Sequence, residues 1–142
     1  AQKAMDWLNS NGISNQNIIL YGESLGTAVA IEIGKNKSFG GIILESPFTS
    51  MEILAQQYYP YLPAKFILKD KYKSIDKLNM IKSPLHVMHG EKDKIVPFYM
   101  GEEIYKKYNG IKSKYFSNYD DHMMDFNKDL IQSVETFIKS LN

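Results

Sequence analysis

Two periods of apolar residues run along this chain. Short apolar runs at 17–21, 42–45, 85–89 and 114–116 have the length of strands, and the run at 42–45 is continuous, as in a strand buried on both faces of a parallel sheet. Between them apolar residues recur at helical spacing. Ala4, Met5 and Leu8 form one face, with Asn11-Gly12 as a stop, and Ala28, Val29, Ala30, Ile31 and Ile33 are apolar nearly all round, which predicts a buried helix. The segment 98–108 is amphipathic through Gly101, Ile104, Tyr105 and Tyr108. The last helix has the clearest periodicity, in Phe126, Leu130, Val134, Phe137, Ile138 and Leu141. Alternating strands and helices predict an α/β class with about four parallel strands and flanking helices. Residues 46–74 break the alternation: Pro47, Pro60 and Pro63 punctuate a stretch holding Tyr58, Tyr59, Tyr61, Phe66 and Tyr72, with a short helix near 51–57. This stretch is read as a cap or groove wall, or as aromatic cover for a sheet edge.

At 142 residues the chain is one domain by length, residues 1–142, and long enough to bury a core. Seventeen Lys+Arg against sixteen Asp+Glu leave no basic excess for nucleic acid or an anionic membrane, and no apolar run reaches transmembrane length. With no cysteine there is no thiol nucleophile, disulfide or thiolate metal site. Nothing requires an oxidising compartment, so a cytoplasmic location is expected. The three histidines are not paired with carboxylates at helical ligand spacing, so no metal and no cofactor is expected. The chain opens on Ala1 inside a helical pattern, which points to a piece of something longer.

The first strand ends in Gly22-Glu23-Ser24-Leu25-Gly26 and runs straight into a helix. A serine on so sharp a strand-to-helix turn is pushed out at the sheet end, and small flanking residues let the backbone bend. Ser24 is the candidate nucleophile; the plainer reading is an ordinary α/β turn. A serine hydroxyl needs a base, and the base needs a carboxylate to hold its tautomer. Asp93 follows the third strand in His89-Gly90-Glu91-Lys92-Asp93, a composition that equally suits a polar surface turn. His122 follows the fourth strand and precedes the last helix. His86 and His89 compete with it but belong to the third strand, where His86 is expected to bond or pack locally. A nucleotide-binding reading lacks both a phosphate loop and the G-x-G-x-x-G spacing.

Taken in order, Gly22-Glu23-Ser24-Leu25-Gly26, Glu45-Ser46-Pro47-Phe48-Thr49-Ser50, His89-Gly90-Glu91-Lys92-Asp93 with Val96-Pro97, and Asp121-His122 resemble the C-terminal part of an α/β-hydrolase fold serine hydrolase. The pattern is especially similar to abhydrolase-domain depalmitoylases and bacterial peptidase-like hydrolases. The resemblance implies a partial α/β-hydrolase lacking the N-terminal strands, with Ser24 as nucleophile, His122 as general acid and base, and Asp93 as orienting carboxylate. Glu45, at the end of the second strand, is the fallback acid. It also implies an oxyanion donor in the Leu25 backbone N–H and a second donor from an earlier strand. The first strand, internal in the family, then lies at an exposed edge that invites self-association or pairing with a complementary N-terminal portion. Membrane association through such a portion stays open, although this chain holds no membrane segment. The function expected is acyl-enzyme hydrolysis of ester, thioester or related acyl substrates, the partner being a small-molecule or acylated substrate, with activity impaired in this piece alone. The alternative is a non-catalytic remnant or interaction module with an incomplete oxyanion hole.

Overall fold

A computed structural model describes residues 1–61 and 72–141. The chain order is α1 (Gln2–Ser10), β1 (Ile19–Glu23), α2 (Leu25–Gly34), β2 (Gly41–Glu45), α3 (Met51–Tyr58), α4 (Ser74–Lys77), β3 (Leu85–Gly90), α5 (Phe98–Lys107), β4 (Lys112–Ser117) and α6 (Lys128–Lys139). The four strands form one sheet in the order β1-β2-β3-β4, every pair parallel. The helices bury opposite sides of it, as parallel sheets require.

Strand periodicity separates the two cores. Leu20, Ile42, Leu44, Leu85 and Val87 point to one side, where Ile31 of α2, Ile104 of α5 and Met5 of α1 meet them. Ile43 and Met88 point to the other, against Leu130 and Phe137 of α6. Ile31, Ile42, Leu44, Leu85 and Ile104 are fully buried, each stabilising the fold by roughly 1.5–3 kcal/mol. β2 is buried at all five positions, as its continuous apolar run predicts. A third cluster of Ala28, Phe48, Val96 and Met100 lies toward the ends of the strands where β2 and β3 give way to loops.

Several boundaries differ from expectation for local reasons. Residues 15–17 form a 3₁₀ turn, closed by Asn17 N–H to the Ser14 carbonyl and Ile18 N–H to the Asn15 carbonyl, so β1 starts at Ile19. Asn127 caps α6 through its side chain, accepting from the Asp129 and Leu130 N–H groups. Phe126 therefore falls outside that helix and is exposed. Val29 lies on an exposed stripe of α2, which is buried on one side rather than all round. The expected cap or groove segment 46–74 is described only at 46–61 and 72–74; Pro63 and Phe66 lie outside the described residues. No helix among the described residues is long and apolar enough to cross a membrane.

His86 packs locally. Its ring is fully buried in β3, its Nδ1 is 2.7 Å from Ser113 Oγ, and it stacks on Phe137 at 5.2 Å. Burial lowers its pKa to about 4. An unfolded histidine titrates near 6.5, so the unfolded chain takes up a proton first and the stability held above that pH is lost as pH falls toward 4. Chemical denaturation of the His86→Gln variant between pH 7 and 4 should therefore show a shallower loss of stability than the parent; an equal slope would remove His86 as its source.

β1 forms the sheet's edge among the described strands, with Ile19 and Tyr21 exposed on it. An unpaired apolar edge favours strand addition. We expect this chain to associate in solution, and a mass measurement that finds only well-behaved monomer across concentration would count against that.

Candidate active site

Parallel register brings the ends of the strands level. Glu23 pairs with Glu45, and Glu45 with Met88. The next residues of β1 and β2 then leave the sheet in the same unusual way: Ser24 has φ +49° and Ser46 has φ +48°. Left-handed φ is rare for residues other than glycine and carries strain of order 1–3 kcal/mol, so neighbouring contacts must hold both serines. They do. The Ser24 N–H donates to the Glu45 carbonyl at 2.9 Å, and the Thr27 hydroxyl donates to the Ser24 carbonyl at 2.6 Å. The Ser46 N–H donates to the Met88 carbonyl at 2.9 Å.

The glycines flanking Ser24 do different work. A Cβ on Gly22 would collide with the Gly26 carbonyl and come within 2.8 Å of Thr27 N, so the turn closes only because position 22 has no side chain. Gly26 meets nothing within 4 Å, contrary to the expectation that both flanks are held small by the bend.

Ser24, Asp93 and His122 come together. His122 Nε2 lies 3.1 Å from Ser24 Oγ, and His122 Nδ1 lies 2.8 Å from Asp93 Oδ2. Asp93 sits in the loop after β3, where its Oδ1 accepts from the Ile95 and Val96 N–H groups, both at 2.8 Å. Burial acts to raise the Asp93 pKa, but hydrogen bonds from His89, His122, Val96 and Ile95 outweigh it and hold the carboxyl down to about 2. An anionic Asp93 bonded to Nδ1–H leaves the Nε2 lone pair facing the serine, the geometry from which a hydroxyl proton can be taken. Leu25 occupies the first position of α2, whose N–H has no intrahelical acceptor and is free to meet a developing negative charge beside Ser24.

Glu45 is nearby but differently engaged. Its side chain is buried and accepts from the Tyr21 hydroxyl and the Met124 N–H, while His122 Nδ1 is taken by Asp93. Burial raises its pKa above the usual carboxylate value, despite the opposing Met124 bond and the nearby His122. The loop carrying His122 is held from below: the fully buried Ser46 hydroxyl donates to the His122 carbonyl at 3.1 Å. A Cβ on Gly90 would strike the Asp120 and Asp121 carbonyls, so that loop reaches the β3 end only over a glycine. Tyr58, at the end of α3, donates to the Lys94 and Ile95 carbonyls and ties α3 to the Asp93 loop. The sequence placed Tyr58 only within an aromatic stretch and did not single out Ser46 or the Gly90 approach; Glu45-Ser46-Pro47 was visible as a motif, but the hydroxyl's target lies 76 residues away.

A cleft of about 430 Å³ opens beside His122, walled by Ile95, Tyr119, Met123 and the side chains of Lys92 and Lys94. A larger hollow of about 510 Å³ lies between residues 75–81 and 107–110, at the opposite ends of β3 and β4. It contains none of the Ser24 cluster.

Comparison with known proteins places this geometry. The phospholipase/carboxylesterase family model matches residues 2–142. Human alpha/beta hydrolase domain-containing protein 17C is 33% identical over 96 residues, covering 68% of this chain and 28% of that protein. An uncharacterized protein of Mycobacterium tuberculosis, Rv2307c, is 34% identical over 105 residues, covering 73% and 37%. Among solved structures, the Pyrococcus furiosus esterase Pf2001 superposes with a TM-score of 0.75 at 21% identity, covering 98% of this chain and 60% of the esterase. An acetyl xylan esterase from Paenibacillus sp. R4 gives 0.73 at 14% identity, covering 97% and 50%. These structural likenesses establish the fold, four strands of a partial α/β-hydrolase. The chain spans less than two fifths of the length of these curated relatives.

The two glycines give a test of the turn. Gly22→Ala should destabilise the chain by about 1–3 kcal/mol through overpacking. Gly26→Ala, in open space on a helix, should be neutral or stabilising by up to about 1 kcal/mol. Urea midpoints for the two variants check this, and equal losses would show that the bend does not depend on position 22 alone.

Proposed function

The chain belongs to the phospholipase/carboxylesterase family of α/β-hydrolases, and from that premise we propose that it carries the catalytic serine machinery of an acyl hydrolase acting on ester, thioester or related acyl substrates. The observation that carries this reading is the continuous hydrogen-bonded path Ser24 Oγ, His122 Nε2, His122 Nδ1, Asp93 Oδ2. In the proposed reaction Ser24 Oγ attacks the acyl carbonyl while His122 Nε2 takes its proton, and the Leu25 N–H faces the oxyanion. Asp93 keeps the proton on Nδ1 and stabilises the imidazolium. Collapse of the tetrahedral intermediate breaks the bond to the leaving group, which departs with the proton from Nε2. Water, deprotonated by the same nitrogen, then releases the acid and restores Ser24.

The cleft beside His122 is proposed as the leaving-group side, since the group that leaves must reach Nε2. Its Ile95, Tyr119 and Met123 walls suit an apolar or aromatic portion.

A second reading is a non-catalytic interaction module. It is favoured by the edge that β1 presents among the described strands, where Ile19 and Tyr21 are exposed to an added strand.

Labelling of the folded chain with a fluorophosphonate probe separates the two. The hydrolase reading expects labelling that disappears in Ser24→Ala and falls by about 10³- to 10⁴-fold in His122→Ala and Asp93→Asn. Glu45→Gln should retain far more than Asp93→Asn; the reverse order would transfer the acid role to Glu45. A folded chain with no Ser24-dependent labelling would favour the interaction module.

A further inference from the structure

We propose that His89 is a positioning residue of this site: its Nε2–H, shared between Asp93 Oδ2 and the Val96 carbonyl, locks the carboxylate in the orientation that receives His122. The proposal rests on the hydrolase reading for its consequence, but not for its geometry. His89 ends the core run of β3 and is fully buried. Its Nε2 lies 2.9 Å from the Val96 carbonyl and 3.2 Å from Asp93 Oδ2. A carbonyl oxygen can only accept, so Nε2 carries the hydrogen. That single hydrogen faces two acceptors, one on the loop backbone and one on the carboxylate.

The other face of the ring makes the arrangement specific. His89 Nδ1 is buried with no hydrogen-bond partner. It looks onto Gly101 of α5, where any Cβ would collide with it, and the Phe98 ring stands nearly perpendicular to the imidazole at a centroid distance of 5.7 Å. An apolar side chain would fill such a slot without stranding a polar atom, and a stranded buried acceptor is costly. The compensating contact is on Nε2. Asp93 then has a fixed donor set: Ile95 and Val96 N–H on Oδ1, and His122 and His89 on Oδ2. Removing the His89 donor leaves Oδ2 held by His122 alone. The charge on Oδ2 is then less neutralised, and the carboxylate is freer to turn away from Nδ1.

The consequence falls on His122: with its carboxylate partner no longer held in one orientation, the imidazole is aimed less well at Ser24 and proton transfer from the hydroxyl slows.

The test uses His89→Phe, His89→Gln and His89→Asn in the full chain. Glutamine can bring an amide N–H to the place of Nε2, whereas asparagine falls short and phenylalanine has no donor. The rate of fluorophosphonate labelling is followed, and the low-field proton resonance of His122 Nδ1–H is recorded on the unlabelled protein. His89→Phe and His89→Asn should label about 10- to 100-fold more slowly, as for the loss of one hydrogen bond to a charged group. They should also shift or lose the low-field resonance, while His89→Gln restores most of both the rate and the resonance. Should the phenylalanine variant fail to fold, the glutamine and asparagine pair decides. A parent chain that does not label would overturn the hydrolase reading, and the resonance would still test His89. If rate and resonance stay at parental values in the folded variants lacking the donor, or if all variants lose only thermal stability, His89 merely packs and the proposal fails.

Discussion

The site depends on parallel register. Because β1, β2 and β3 pair so that Glu23, Glu45 and Met88 stand level, the chain leaves β1 and β2 side by side while β3 runs on two residues further to Gly90. Backbone bonds that continue past the strand ends exploit this: the Ser24 N–H reaches the Glu45 carbonyl, and the Ser46 N–H reaches the Met88 carbonyl. Each is one rung beyond the regular ladder. These rungs fix two serines in left-handed conformations that neither would adopt freely, and the strain is carried by a sheet whose central strands are completely buried. A slip of one residue between β1 and β2 would reverse the inward face of β1 and separate Ser24 from its acceptor.

The two acidic side chains at this edge show how local donors choose between candidates. Glu45 and Asp93 both lie close to His122, and both are buried. Asp93 sits in a tight loop whose own N–H groups fold back on one oxygen while two imidazoles hold the other, and its pKa falls to about 2 despite burial. Glu45 extends from a strand end, where the loop donors available to Asp93 are absent from its contacts and burial dominates, raising its pKa. Its Tyr21 and Met124 contacts brace β1 and the segment after His122. A carboxylate held anionic against His122 at one position and a bracing carboxyl at the other thus arise from the same residue class in different backbone settings.

Much of this was legible in the residues themselves. A continuous apolar run at 42–45 demanded burial on both faces, and the order of Ser24, Asp93 and His122 after successive strands set them along one edge of any parallel sheet. What periodicity could not carry was contact between distant segments. The need for Gly22 comes from the carbonyl of Gly26 folding over it, whereas Gly26, its symmetric partner in the motif, is unconstrained. Ser46 reads as a turn residue until its hydroxyl is seen beneath His122. Phe126 fits the helical pattern of α6 but is cut off by Asn127, because a side-chain cap sets the start more strongly than one apolar residue extends it. In each case the deciding interaction joins elements that local pattern treats as separate.

The distribution of buried polar groups completes the physical picture. Buried polar groups beside the two main cores are held by partners there: His86, neutral, by Ser113, and Ser83, whose hydroxyl accepts from the Phe39 N–H and whose carbonyl accepts from the Tyr108 hydroxyl. At the carboxyl ends of the strands, by contrast, Thr27, Glu45, Ser46, His89, Asp93 and Ser117 are all buried. Every such group costs free energy unless it is paired, and here the partners are mostly backbone groups of the next loop along the edge. Ser117 Oγ accepts from the Tyr119 and Asp120 N–H groups at the root of the His122 loop, just as Asp93 Oδ1 accepts from Ile95 and Val96. The polar side chains therefore act as templates for loop backbone. A loop built on a buried side chain cannot shift without exposing that side chain unpaired, so the same desolvation cost that makes this edge expensive holds Ser24, His122 and Asp93 at hydrogen-bonding distance.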